Sequence, residues 1–236
     1  MKNFKKFITM LSMIVLTASL TLTGCGEEKK PSKEKEEVKT LATPEVTAEA
    51  YFKFCLYGDK TKFQELGLPT TEFDTISKDT FSKIRNDIKN AFAEYAIVLT
   101  DEELEKILSA EINSLKKITP KLEVSQGKET VDIKITTSYI DVPSAFTQAK
   151  EDALKKIGTL KFKSETQYKA KFKELYLSNL ANSINNAKPS TDTKKQTFTF
   201  SKKTFEENGK SSTIWAPENF TRFQQDVSNM VLNHTL

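Results

Sequence analysis

Apolar residues follow the three- and four-residue spacing of amphipathic helices through the first half of the chain. A first helix is predicted between Thr43-Pro44 and Gly58-Asp59, because proline after an N-cap residue favours a helix start and glycine favours its end. A short helix ending at Gly67 follows, and a longer one is predicted over residues 80–95. The Thr100-x-x-Glu103 capping box then starts a fourth helix.

The pattern becomes strand-like after residue 120, where apolar and polar positions alternate. Gln126-Gly127 predicts the turn of one hairpin, and Asn208-Gly209 predicts the tight turn of a second. Because successive side chains of a strand face opposite sides, one face of the strand after the first turn is expected to hold Val131, Ile133, Ile135, Thr137 and Tyr139.

Helical spacing returns between the two hairpins, over residues 144–187, with an interruption at Gly158. Pro217 is predicted to start a last helix after the second hairpin. This order of elements predicts an α+β fold, in which N-terminal helices cover one face of a short antiparallel sheet made of two hairpins. The pattern leaves open whether the helical insertion packs on the sheet or projects as an arm.

The N terminus carries the features of an export signal. Lysines at positions 2, 5 and 6 precede an apolar run over residues 7–20, and small residues then lead to Cys25. Residues 1–24 are therefore predicted to be a cleaved leader. The alternative is an uncut membrane helix, but the run is shorter than the roughly 20 apolar residues that span a bilayer.

The four residues Leu22, Thr23, Gly24 and Cys25 resemble the lipobox of bacterial lipoproteins. That resemblance implies cleavage after Gly24 and attachment of a lipid to the sulfur of Cys25. The mature protein is then expected at the cell membrane, on the extracytoplasmic face, where acyl chains hold it to the bilayer.

Residues 25–43 are predicted to be a disordered tether, because five lysines offset five glutamates there and almost nothing is apolar. The alternative for this segment is a helix held by Glu–Lys pairs. Residues 44–236 are long enough to bury a sizeable core, and we expect them to form one α+β domain.

Composition argues against several classes of function. Loss of the three leader lysines lowers the formal net charge from +4 to +1, so charge does not favour a nucleic-acid partner. Arginine is limited to Arg85 and Arg222, and histidine to His234, which disfavours phosphate clamps and imidazole chemistry. No zinc-spaced cluster, phosphate loop or nucleophile motif occurs in the sequence. We therefore expect no metal, no cofactor and no enzymatic activity.

Isolated polar residues give weak support for a site. Asp132 has the strand parity of a solvent-facing residue, and Asp141 is expected in a turn. Cys55 has no second cysteine to pair with once Cys25 carries lipid, so it is predicted to be a small buried apolar residue. A disulfide between two copies of the chain is the alternative for Cys55, and the oligomeric state stays open.

The order of elements resembles the cystatin-like roll of the nuclear-transport-factor-two-like proteins. The residues that carry the resemblance are the opening helix with Ala50-Tyr51-Phe52, its stop at Gly58-Asp59, and Trp215 at the end of the last strand. More narrowly, the chain looks like the uncharacterised lipoproteins of Gram-positive bacteria that carry such a domain. The helical insertion departs from the small roll, and the resemblance transfers no catalytic residue.

A roll of this kind implies a concave sheet face that could hold a small ligand. The aromatic residues expected near it are Tyr51, Phe54, Tyr95, Tyr139 and Trp215, with ordinary core packing as the alternative. Lysines also crowd one part of the insertion, at positions 161, 163, 169, 171 and 173. At about 100° per residue these lysines spread around a helix, which favours a solvated surface over an anion-binding stripe.

Three functions remain as hypotheses. The first is a non-enzymatic binding or protein-interaction module at the cell surface, with another envelope protein or a peptide as partner. The second is a binding protein for a small apolar or peptide ligand, using the concave face of the sheet. The third is a hydrolase or isomerase, which would need a buried carboxylate with a raised pKa.

Overall fold

A computed structural model describes residues 42–68, 71–125, 127–207 and 210–233. The predicted leader, the lipobox with Cys25 and all but the last two residues of the predicted tether lie outside these ranges, as does His234. The described residues form an α+β fold with seven helices and four strands, which confirms the predicted class. Within them, no helix combines the length and the apolar character needed to span a bilayer.

Four helices precede the sheet. Their bounds are α1 Pro44–Tyr57, α2 Thr61–Glu65, α3 Thr71–Ala93 and α4 Asp101–Leu115. Thr43 caps α1 and Gly58 ends it in the left-handed conformation, with φ of 71°. Both halves of the predicted capping box are present at α4, where the Thr100 and Glu103 side chains each accept a backbone N–H bond. The local signals for these two helices are thus confirmed.

Four strands form one antiparallel sheet in the order of the chain. They are β1 Lys121–Val124, β2 Thr130–Thr137, β3 Lys194–Glu207 and β4 Lys210–Pro217. In the central pair, Ile133 lies opposite Phe198 and Val131 lies opposite Phe200. These four side chains are buried, so one face of the sheet belongs to the core.

Three further helices complete the chain: α5 Val142–Ile157, α6 Glu165–Asn186 and α7 Phe220–Val231. Three boundaries differ from the sequence prediction. Helix α3 begins at Thr71 instead of residue 80. Asp141 caps α5 instead of forming a turn, and its carboxylate accepts the backbone N–H of Ser144 at 3.1 Å. Pro217 ends β4, where its missing N–H costs no ladder bond inside the strand, and Asn219 caps α7.

The first of two apolar clusters lies between the sheet and the helices that cover it. Helices α1 and α7 pack their apolar faces on the sheet, with Phe52, Phe200 and Phe223 almost completely buried. We call this part the sheet layer. Cys55 is half-buried at its margin, and burial raises the pKa of the Cys55 thiol. The thiol is therefore neutral at physiological pH.

The second cluster is made by helices alone. Its buried residues come from the C-terminal part of α3 and from α4, α5 and α6, with Phe92, Ile107, Phe146 and Leu180 at its centre. We call this part the helical layer. The insertion of residues 144–187 therefore packs on α3 and α4, instead of lying on the sheet or projecting alone. The residues of both clusters fall between Ala48 and Leu232. Both cores therefore lie within residues 44–236, the segment that follows the predicted tether.

Polar contacts fix the directions of these helices. Arg85 and Lys89 of α3 pair with Glu105 and Asp101 of α4, so these two helices are antiparallel. Helices α4 and α6 are parallel, because Glu103 pairs with Lys173 and the Ser114 hydroxyl donates to the carbonyl of Ile184. The starts of α4 and α6 and the ends of α3 and α5 consequently lie together, at the end of the helical layer that is remote from the sheet. We call this the distal end.

We predict that Gly58→Ala destabilises the fold by about 1 to 2 kcal/mol, because its φ of 71° strains an L-residue. An added Cβ would also approach the Phe81 ring to 2.9 Å. Gly158→Ala is the matched control, since the φ of Gly158 is −62°. It should be neutral or stabilising by about 0.5 kcal/mol. Urea denaturation measures the free energy of unfolding of both variants. Equal effects of the two substitutions would contradict the left-handed conformation of Gly58.

Candidate functional site

A groove opens at the distal end of the helical layer and encloses about 540 Å³. This volume is typical of sites for small ligands. The α3–α4 loop and the first three turns of α6 form its sides, and α5 adds one lysine. Its lining consists of Tyr95, Ala96, Ile97, Lys150, Thr166, Tyr168, Lys169, Ala170, Phe172, Lys173 and Tyr176.

Aromatic rings form the inner part of the groove. Phe172 stacks on Tyr176 with ring centroids 5.8 Å apart, and Tyr176 also packs on Phe92 at 6.2 Å. The Tyr176 hydroxyl is buried and, among the described residues, has no hydrogen-bond partner. Burial raises the pKa of the Tyr176 phenol well above its usual value, so the hydroxyl keeps its proton and remains a donor. A buried polar group without a partner is unusual in a folded protein and marks this position as a candidate binding contact.

Three lysines lie in the lining of the groove, and no carboxylate does. Lys169 pairs with Glu165 at 2.7 Å, and both side chains are largely exposed, so this ion pair contributes little and can be exchanged. Lys173 pairs with Glu103 at 2.8 Å, and both of these side chains are about one quarter exposed. The charged residues of the lining are therefore all lysines, and the carboxylates that pair with Lys169 and Lys173 are not lining residues.

The distal end also exposes apolar side chains. Val98 is 77% exposed and Tyr168 is 39% exposed, and both belong to segments that line the groove or adjoin it. Leu154 and Leu160, near the α5–α6 loop, are also exposed. Single exposed apolar residues are common, but several at one end of a structure favour an interaction surface.

The five aromatic residues predicted to share a pocket are divided between the two layers. Tyr51, Phe54 and Trp215 are buried in the sheet layer, where rings pack on one another. The cavity lined by Tyr51 measures about 30 Å³, which is room for about one water molecule. Tyr95 lines the distal groove, and Tyr139 is half-buried with the Lys194 ammonium 5.4 Å from its ring centroid. Of the predicted set, Tyr95 alone lines the distal groove.

The predicted lysine group is also divided. Lys169 and Lys173 line the groove, whereas Lys161, Lys163 and Lys171 do not. A second groove of about 920 Å³ runs between α4 and α6, but charges of both signs and several amide and hydroxyl groups line it. Of the three cavities described, the distal groove is the one in which aromatic rings occur with several lysines and no carboxylate.

Glu111 is a feature that sequence analysis did not identify. It lies on α4 in line with the inward-facing Leu104 and Leu115, and burial raises the pKa of Glu111 to about 7. Its polar identity within an apolar helical face was the available signal. Glu111 lines none of the three cavities described above. No three His, Cys, Asp or Glu side chains form a metal ligand set within the described ranges.

We predict that Glu111→Gln stabilises the protein at alkaline pH. Between the ordinary carboxyl pKa of 4.5 and about 7, the folded chain holds a proton that the unfolded chain has released. Stability therefore falls as pH rises through this window, and above pH 7 the charged Glu111 costs about 2 kcal/mol after allowance for its partial exposure. Thermal unfolding of Glu111→Gln should show a gain at pH 8 and little gain at pH 4.

The control for this experiment is Glu102→Gln, which removes a charge from the exposed side of the same helix. The pKa of Glu102 is lowered by its bond with Lys106, so its loss should not stabilise the protein at alkaline pH. A Glu111→Gln variant that gains no stability at pH 8 would contradict the burial of an ionised carboxylate.

Comparison with known proteins shows a similarity in fold to a solved structure and no similarity in sequence to a family model or curated protein. No family model and no curated protein sequence matches the chain. Among solved structures, the chain is similar to ycdA of Bacillus subtilis subsp. subtilis str. 168, a protein described as a candidate lipoprotein, with a TM-score of 0.53 and 12% sequence identity. The match covers 79% of this chain and 55% of ycdA, so this chain spans about half the length of that protein.

Proposed function

We propose that the protein is a lipoprotein held to the extracytoplasmic face of the cell membrane through Cys25. The support is the leader with its lysines, apolar run and lipobox, together with the fold likeness to a protein described as a candidate lipoprotein. A charged tether of residues 25–43 would have a mean reach of roughly 25 Å from the bilayer. The body is thus kept close to the membrane surface.

We further propose that the body is a non-enzymatic binding module, with the distal groove as its binding site. The observation that carries this proposal is the buried Tyr176 hydroxyl without a partner, in a groove lined by aromatic rings. A ligand with an acceptor atom at this position would satisfy the hydroxyl and bury apolar surface in the same event.

A protein-interaction module is the second candidate. The exposed apolar side chains of the distal end, led by Val98, favour a partner protein or peptide in the envelope. A cystatin-like roll remains our proposal for the sheet layer, since α1 and α7 cover one face of its antiparallel sheet. Its concave face is a weaker candidate site, because Tyr51, Phe54 and Trp215 are used in core packing.

Replacement of Cys25 by alanine tests the anchor. Without the sulfur that carries the lipid, processing of the leader should fail, and the acylated mature form should disappear. Mass spectrometry of the protein extracted from membranes measures the N-terminal residue and its acyl mass. Native protein that retains residues 1–24 and carries no acyl group would refute the proposed anchor.

Bulk placed in the groove tests the binding site. The chain from residue 25 onward, with Cys25→Ser to prevent lipid attachment, should bind the neutral apolar dye N-phenyl-1-naphthylamine with a rise in dye fluorescence. Thr166→Trp should weaken this binding at least about tenfold, since Thr166 is exposed and lines the groove. A tenfold loss of affinity corresponds to about 1.4 kcal/mol of binding free energy. The added indole ring would keep the dye from part of the apolar lining, and the apolar burial lost in this way accounts for that difference.

Ser109→Trp is the matched control, because Ser109 is an exposed helical residue that lines the second groove instead. It should leave dye binding unchanged. Equal dye binding by the native chain and the Thr166→Trp variant would refute the distal groove as the site.

A further inference from the structure

We infer that the distal groove binds a single-chain amphiphile with an anionic head, such as a fatty acid or a monoacyl phosphate. This inference rests on the proposed binding function of the groove and specifies the chemical class of its ligand. Two observations carry it: lysines and apolar side chains occur together in the lining, and the buried hydroxyl without a partner belongs to Tyr176, which is one of the lining residues.

The apolar part of the lining fits a hydrocarbon chain. Ile97, Phe172 and the rings of Tyr95, Tyr168 and Tyr176 face a groove of about 540 Å³. Burial of an acyl chain against these side chains removes its methylene groups from water, which favours binding. Tyr168 of the lining is 39% exposed, and Val98, next to the lining residue Ile97, is 77% exposed, so apolar surface is also present outside the core.

The charged part of the lining fits an anion. Lys169, Lys173 and Tyr176 are four and three residues apart on α6, so they lie along one face of the helix. Lys150 approaches the same groove from α5. The lining itself holds no carboxylate, and the Lys169–Glu165 ion pair is largely exposed, so a negative head group could take the place of Glu165 beside Lys169.

The Tyr176 hydroxyl gives a reason for an oxygen-bearing head. Since its neighbours in the described chain offer it no acceptor, a carboxylate or phosphate oxygen at this position would receive its hydrogen bond. A hydrocarbon without such an oxygen would leave the hydroxyl unsatisfied, and a cationic head would oppose the lysines. Charge and hydrogen bonding thus both select an anion over a neutral or a cationic amphiphile.

Displacement of the bound naphthylamine dye tests the ligand class. The competitors are dodecanoate, dodecyl phosphate, dodecanol and dodecylamine, each kept below its micelle concentration, with the unlipidated chain from residue 25 onward. Dodecanoate or dodecyl phosphate should displace the dye at concentrations at least about tenfold lower than dodecanol or dodecylamine, since charge-assisted hydrogen bonds supply that difference. The ranking of the two anions distinguishes a carboxylate from a phosphate head.

Two variants connect this preference to the named residues. Replacement of Lys150, Lys169 and Lys173 by glutamine should abolish the preference for the anions while the dye still binds. Tyr176→Phe should weaken dodecanoate binding several-fold without weakening dye binding, because the dye has no anionic oxygen for the hydroxyl. Glutamine at Lys161, Lys163 and Lys171 is the control, since these lysines belong to the same region and line no part of the groove.

The outcomes separate this inference from the proposed function. Equal displacement by all four competitors would overturn the anionic ligand class and leave groove binding intact. Absence of dye binding at the groove would overturn the proposed function itself. Binding to anionic vesicles that is reduced by the control glutamines, without displacement of the dye by monomeric anions, would also overturn the inference in favour of a membrane-surface contact.

Discussion

Helix α4 buries apolar side chains against two separate clusters, and the positions of the other helices depend on this constraint. Leu104 and Ile107 belong to the helical layer, while Leu115, near the other end of the helix, belongs to the sheet layer. The capping box fixes where α4 begins, and its ion pairs and hydrogen bonds align α3 and α6 along it. The sheet layer thus supports one end of the helical layer and leaves the distal end free.

The groove follows from this arrangement. Parallel packing of α4 and α6 brings the start of α6 beside the loop that precedes α4. Tyr95 and Ile97 from that loop then line the groove together with residues from the first three turns of α6. A loop and a helix start are positions where side chains can present polar ends to a ligand while their apolar parts stay packed.

Glu111 and Tyr176 are the two polar groups with the least usual surroundings, and they differ in their relation to the cavities. Glu111 has the raised pKa that a general base requires, yet it lies on the inward face of α4, apart from the three cavities described. An ionisable group in such a position reduces stability at high pH. Tyr176, in contrast, has a buried hydroxyl donor and lines a groove whose volume of about 540 Å³ is large enough for a small ligand.

Local sequence signals predicted the local structure well. Thr43-Pro44 and Gly58 gave the limits of α1, and Thr100 with Glu103 gave the start of α4, because caps involve residues a few positions apart. The start of α3 was missed because four polar residues, 77–80, separate Phe73 and Ile76 from the later stripe that begins at Phe81. Pro217 was misassigned because proline is compatible with both a helix start and a strand end.

The groove could not be predicted in the same way. Its lining comes from residues 95–97, Lys150 and residues 166–176, which only the packing of four helices brings together. Spacing alone showed that Tyr51, Tyr95 and Trp215 face inward, but it could not assign them to one cluster or the other. Tyr176 belonged to a clear apolar stripe, and its unsatisfied hydroxyl is a property of the packed structure.

Hydrogen–deuterium exchange with and without saturating N-phenyl-1-naphthylamine shows whether a ligand occupies the distal groove, because it locates the ligand without any substitution. If the distal groove is the binding site, exchange should slow in the backbone amides of residues 94–100 and 165–177, with β3 and β4 unchanged. Slower exchange in the strands of the sheet layer, with no change at the distal end, would contradict it.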